Sequence, residues 1–165
     1  MKGIRSLIAA SALSIVAGSA TAQQGPVGVW RLVSYSALDP DTGEVHYPFG
    51  RGATGYIMYT PGGHISALLQ AEGRRKFSAG NRINAPVEER AEAFSTSAAY
   101  MGRYTWEGER VIHHVHVSSN PDWVGGDQLR YPKIEGNRLT ITTPPLPTRP
   151  DGKLRVSTLV WERVE

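Results

Sequence analysis

Three of the five histidines of this chain fall inside one short run, Val111-Ile112-His113-His114-Val115-His116-Val117. The β-branched residues around them favour a strand, in which successive side chains point to opposite faces. His113 then shares a face with Val111, Val115 and Val117, whereas His114 and His116 share the other with Ile112 and Ser118. The valine-rich face is the candidate interior. An imidazole there needs a hydrogen-bond partner, and near neutrality it can take or give a proton. Three roles stay open for His113: a core histidine satisfied by a tyrosine or a carbonyl, a ligand contact, or an acid/base. His114 and His116 have the spacing of a shared metal pair, but a zinc site requires a third ligand. Nothing in the spacing of His46 or His64 brings either to that face, so no metal site is expected.

Gln128 and Arg130 share a parity on a later run, so both enter the same face of their strand. Arg103 stands between Gly102 and Tyr104, and Tyr56, Tyr59 and Tyr100 add phenols. A largely apolar cavity with a few convergent polar groups is what a small-molecule site requires. The candidate ligand contacts are Tyr56, Met58, Tyr100, Arg103, His113, Gln128 and Arg130. If Arg130 and His113 meet inside, a cation and a neutral imidazole would hold an anionic or enol-like oxygen while a proton moves, with Tyr104 as a second polarising group. His113, Arg130 and Tyr104 are thus the candidate catalytic set. Other chemistries lack their residues: there is no cysteine, no Gly-x-Ser-x-Gly elbow, no phosphate-cradling glycine loop and no His-Glu-x-x-His helix. Carboxylates are sparse inside the candidate strands, which argues against glycoside hydrolysis. No cofactor is implied.

Positioning these residues falls to many short strands punctuated by glycine and proline. Eight are expected: Val29 to Leu38, Ala53 to Thr60, His64 to Gln70, Tyr100 to Trp106, Arg110 to Ser118, Asp127 to Ile134, Arg138 to Thr143 and Leu154 to Val164. Tight hairpin signals at Pro61-Gly62-Gly63, Glu107-Gly108-Glu109 and Glu135-Gly136-Asn137 pair sequence neighbours antiparallel. Pro86 to Ala99 reads instead as one helix between the third and fourth strands, with proline and two glutamates in its first turn. Its apolar residues, chiefly Val87 and Phe94, are too few for a core, so it should lie on a surface or over an opening. Ala71 to Ala85 reads as a long loop of the kind that forms lids. Pro144-Pro145-Leu146-Pro147 and Pro150 mark an extended surface connection. Eight sequential antiparallel strands expose two edges unless they close, and closure at eight leaves room for one small ligand. The expected fold is an all-β, up-and-down, eight-stranded antiparallel barrel, with a two-sheet sandwich as the alternative.

Gly28-Val29-Trp30 at the head of the first strand matches a Gly-x-Trp signature, and Arg163 closes the last. With Tyr47-Pro48-Phe49-Gly50, Gly55 to Pro61, Tyr100 to Tyr104, Val111 to Val115, Pro121 to Gly125 and Leu159 to Arg163, the chain resembles the bacterial and fungal lipocalin-like domain family over nearly all of residues 23–165. The resemblance implies a closed barrel plugged by Trp30, with Arg163 across its ring in a desolvated cation–π contact of about 2 kcal/mol. It does not choose a function, because related small barrels include passive carriers and enzymes that isomerise, cyclise or hydrate apolar molecules. Two readings follow: a carrier of a small, largely apolar molecule, and a cofactor-free isomerase, cyclase or hydratase. In a third reading the barrel is only a rigid support for interactions.

The chain has 165 residues, 18 Lys and Arg against 15 Asp and Glu, and a formal net charge of +3. Its start has the layout of a secretory signal peptide: Lys2 and Arg5, an apolar stretch from Leu7 to Gly18, then Ala20-Thr21-Ala22 before Gln23. The stretch is short of the roughly 18 to 20 residues of a membrane-spanning helix. Removing residues 1–22 leaves 16 cations against 15 anions, too even a balance for a phosphate-backbone partner. The expectation is a periplasmic or secreted domain over residues 23–165, without nucleic acid, lipid anchor or disulfide, its partner a small apolar molecule. Oligomeric state is not readable. Expressed in a host with a secretory pathway, the exported protein should begin at Gln23 by intact mass; exported protein that retains Met1 would refute the cleavage.

Overall fold

The computed structural model describes residues 25–165, so the expected signal peptide lies outside the described residues. Strands β1 (Gly28–Leu38), β2 (Val45–His46), β3 (Thr54–Tyr59) and β4 (His64–Gln70) precede helix α1 (Val87–Ser95). Then come β5 (Ser97–Trp106), β6 (Val111–Ser118), a single 3₁₀ turn (Pro121–Trp123), β7 (Asp127–Glu135), β8 (Arg138–Thr142), β9 (Leu146–Pro147) and β10 (Leu154–Arg163). Eight of these strands form a closed antiparallel barrel, because β1 pairs with β3 on one side and with β10 on the other. The two-residue ladders β2 and β9 extend β1 and β10 at one end. Among the described residues no helix is long and apolar enough to cross a membrane.

The helix differs from expectation in place and length. It lies after β4, since the short β2 enters the count, and it stops at Ser95 rather than Ala99. Thr96 ends it by returning its hydroxyl to the Glu92 carbonyl at 2.7 Å, and Ser97 to Ala99 are drawn into the β4–β5 ladder. Tertiary hydrogen bonding thus overrides the helical spacing of Ala98. Two short apolar anchors could not hold a longer helix against that ladder.

Closure rests on the Gly28-Val29-Trp30 corner. Trp30 is wholly buried, donates its indole N–H to the Pro26 carbonyl at 2.8 Å, and carries the Arg163 guanidinium 4.0 Å from its ring centroid. Arg163 also donates to the Val27 carbonyl at 2.7 Å. Gly28 sits at φ +138, and a Cβ there would run into the Arg163 side chain and the Glu165 carbonyl. The glycine of the signature is therefore the space in which the arginine lies. The remaining core runs through Leu32, Ile57, Ile65, Leu69, Val111, Val115, Leu139, Ile141 and Trp161.

A second local feature decides the histidine face. Gly102 pairs with Val115 and Met101 with Val117, which leaves His116 as an extra residue in β6. A Cβ on Gly102 would strike the His114 carbonyl, so glycine permits this bulge. Val111, His113 and Val115 point inward as expected, but beyond the bulge the parity reverses and Val117 is exposed. The outer-face alternation expected for His114 and His116 breaks at the same place. Replacing Arg163 by alanine should lower stability by about 2 kcal/mol in urea unfolding, and Gly28→Ala by at least as much. Unchanged midpoints would show that the corner does not hold the closure.

Candidate functional site

The barrel opens at the end where β4 leads to α1, β6 to the 3₁₀ turn, and β8 to β10. That end holds a cavity of about 670 Å³. Its apolar wall includes Ile57, Leu69, Ile141, Leu159 and Trp161, and its rim includes Phe49, Phe94, Trp123 and Leu146. Tyr100, His113, Gln128 and Arg130 all reach it. The register explains why: His113 lies opposite Gln128 and Val111 opposite Arg130, so the inward face of β6 brings both β7 residues inside with it.

His113 is completely buried, and both ring nitrogens are engaged. Nε2 lies 2.8 Å from the Tyr59 hydroxyl and Nδ1 2.8 Å from the Tyr100 hydroxyl. A neutral imidazole has one donor and one acceptor nitrogen, so one tyrosine donates to the ring and the other accepts from it. Burial, with the Arg130 charge and His114 adding to it, pushes the His113 pKa down to about 3. Burial likewise drives the Tyr59 and Tyr100 hydroxyls up, against the opposing pull of Arg130. The three groups form one neutral chain across the cavity wall.

The other expected contacts do not converge. Tyr56 is 48% and Met58 41% exposed, because β3 turns Gly55, Ile57 and Tyr59 inward and presents the alternate residues to solvent. Arg103 is on the outer face of β5, where it reaches the Gly62 carbonyl at 3.4 Å. Tyr104 packs edge-on against Tyr59, but its hydroxyl donates to the Thr60 carbonyl at 3.0 Å, at the opposite end from the cavity mouth. It is not a second polarising group for Arg130. The loop 71–85 does not line the cavity either. It is tied to the outside of α1, with Arg74 donating to the Ala93 carbonyl and Glu89 accepting from the Ser78 N–H. The mouth is framed instead by the last turn of α1, the 3₁₀ turn and the proline-rich strap Leu146-Pro147-Thr148.

The strap was expected to be a surface connection, and its inward role had no signal in the sequence. Its position is held by Thr148, whose hydroxyl lies 3.1 Å from His46 Nε2, and by buried Arg155, which forks onto Asp151 at 2.9 and 2.6 Å. Tyr35 and Trp123 were also missed as lining residues. Parity on β1 is masked by an irregularity between Leu32 and Ser34, and Trp123 is delivered by a turn rather than a strand. On the outer surface His114 lies between Asp127, 2.7 Å from Nδ1, and Thr105, 2.9 Å from Nε2. That cross-strand chain occupies both of its nitrogens.

The family model described as a lipocalin-like domain matches residues 27–164. The chain belongs to that family. A relative from Aspergillus oryzae, a 4'-hydroxy-3'-methoxypropiophenone carrier protein, is 32% identical over 87 residues, 48% of this chain and 78% of the relative. Among solved structures, a lipocalin-like protein from Bacteroides uniformis aligns at TM-score 0.40 and 11% identity, covering 83% of this chain and 96% of its own. A protein titled REP1-NXSQ fatty acid transporter aligns at TM-score 0.37 and 12% identity, covering 84% and 96%.

The buried imidazole of this lipocalin-like chain makes a pH prediction. Its folded pKa of about 3 lies below the 6.5 of an unfolded histidine, so between those values the unfolded chain binds the extra proton. The contribution is complete above pH 6.5 and is lost as pH falls toward 3. Between pH 7 and 5 the native protein should lose about 2 kcal/mol more than His113→Phe, by urea unfolding at each pH. Equal losses would place the titration elsewhere.

Proposed function

We propose that the protein is an exported carrier that holds a small, largely apolar molecule inside its barrel. The observation that carries this reading is the cavity of about 670 Å³, open at one end of an otherwise filled barrel. That volume lies in the ordinary range for small-molecule sites of about 300 to 1,000 Å³. The named cargo of the Aspergillus oryzae relative, an aryl ketone with one phenol, is of the size and character that such a cavity takes. Export, to a periplasm or to the outside of the cell, rests on the basic start, apolar stretch and Ala20-Thr21-Ala22 site. Tyr100, His113, Gln128 and Arg130 supply the polar points of contact, and Trp30 with Arg163 keeps the far end shut.

A proton-transfer enzyme starts from the same residues, but the geometry favours it less. Both His113 nitrogens are taken by tyrosine hydroxyls, and a ring whose pKa has fallen to about 3 is a weak base at neutral pH. The chain Tyr59–His113–Tyr100 leaves no imidazole nitrogen free to face the cavity.

Carriage predicts saturable binding. Titration with 4'-hydroxy-3'-methoxypropiophenone should quench emission from Trp123 and Trp161, which line the cavity. Ala67 faces the same space from β4, and Ala67→Phe should weaken binding at least about tenfold while circular dichroism shows the barrel intact. Absence of saturable quenching together with no retained small molecule in native mass spectra of the protein from its own host would end the proposal.

A further inference from the structure

Carriage of a purely apolar molecule leaves one feature of the cavity unexplained. Arg130 is the single charged side chain in the lining, and no aspartate or glutamate accompanies it. Among the described residues no carboxylate lies within ion-pair distance of it, although five other arginines have acidic partners. Its contacts are intimate but neutral: it donates to its neighbour's carbonyl, Leu129 O, at 2.7 Å and to Gln128 Oε1 at 3.0 Å. A guanidinium carries five N–H donors, so these two contacts and the nearby Tyr100 hydroxyl leave donors over, and none of the three brings a counter-charge.

The lining around Arg130 holds neutral hydroxyls, that of Tyr100 among them, and further donors, but no anion. Gln128 spends its carbonyl on Arg130, which leaves its amide N–H groups free to donate. The indole N–H of Trp161, on a ring that lines the same cavity, is buried with no hydrogen-bond partner. The field of Arg130 reaches inward, since it acts on the ionisation of Tyr35, Tyr59, Tyr100 and His113. A half-buried charge with no counterion in a low-dielectric cavity is unfavourable, and a ligand bringing the missing charge relieves it.

We infer that the cargo is an organic acid, an apolar body with one acidic oxygen group, held as its anion against Arg130 with Gln128 beside it and its body on the aliphatic wall around Ile57, Leu69 and Ile141. This rests on the reading of the barrel as a carrier. A carboxylate and an acidic phenol or enol present the same chemistry to the guanidinium, a negatively charged oxygen that accepts charge-assisted hydrogen bonds.

Two matched pairs of probes test it by calorimetry at pH 7: hydrocinnamate with hydrocinnamyl alcohol, and decanoate with decanol. The acid of at least one pair should bind about tenfold more tightly than its alcohol. In Arg130→Met that preference should fall to about one, with the alcohol's affinity kept within about twofold; Arg130→Lys, which keeps the charge, should retain most of it. A phenolic probe, the aryl ketone of the fungal relative, should gain affinity as pH rises through the phenol's own pKa, whereas the carboxylates should not change over the same interval. A gain confined to the phenol, with no preference for either carboxylate, would narrow the anion to an acidic phenol or enol. Alcohols and acids binding alike, with no gain on phenol ionisation, or a preference that survives in a folded Arg130→Met, would overturn the inference while leaving carriage intact. If none of the probes binds, the molecule retained by the protein from its own host decides: an acid in its native mass spectrum supports the inference, a neutral molecule overturns it, and no retained molecule at all removes the carrier reading and the inference with it.

Discussion

The pairing of the first strand with the last is the constraint from which everything else in this molecule follows. Without it the eight strands would be a sheet with two exposed edges; with it they enclose a volume. The ladder from Trp30 opposite Arg163 to Leu38 opposite Val156 is long, but its register is pinned at one end by a local arrangement of residues. Trp30 needs a lid over its ring, Arg163 supplies it, and Gly28 leaves the space for the guanidinium. A slip of one residue would turn every inward side chain out, so a contact that fixes register at the closed end also fixes which groups reach the cavity at the open one.

Within that enclosure the polar groups are arranged in two different ways. His113 is fully satisfied by Tyr59 and Tyr100, which explains how a histidine is tolerated at a wholly buried position and why it is neutral there. Arg130, one strand away, is hydrogen-bonded to neutral partners only and has no carboxylate beside it among the described residues. The first group is a closed hydrogen-bonded unit, and the second is open toward the ligand space. The contrast separates a structural polar element from a recognition element on the same wall, and it gives the tyrosine–histidine chain the role of a stiff, uncharged backing.

The mouth is built from the irregular parts of the chain. The last turn of α1, the 3₁₀ turn carrying Trp123 and the proline-rich strap all border the opening. The strap has few backbone hydrogen bonds of its own. It is held by a side-chain clasp in which buried Arg155 grips Asp151 and lies 3.9 Å from Asp39, which is itself buried. Rigid strands thus set the interior chemistry, while short tethered segments set access to it, a division common where loops carry function on a fixed scaffold.

Much of this was legible before any coordinates. Hairpin turns, alternation and strand count point to eight antiparallel strands, closed as a barrel or stacked as a sandwich, and parity puts Val111, His113 and Val115 on one face, whose valines make it the candidate interior. That Gln128 and Arg130 share a face is legible in the same way, because side chains two apart on a regular strand do so, but the register against β6 is what turns that face inward. Parity fails where a strand is irregular: the extra residue at His116 reverses Val117, and β10 is apolar on both faces until Trp161 and Ser157 turn in. It says nothing about which of two plausible faces is inside, so Tyr56 and Met58 on β3 and Arg103 on β5 read as lining when they face out. Only the tertiary structure decides that Tyr59 and Tyr100 close on His113, that Tyr104 points to the sealed end, and that a proline strap borders the cavity. Those outcomes depend on distances between strands far apart in the chain, and local spacing carries no information about such distances until the barrel has closed.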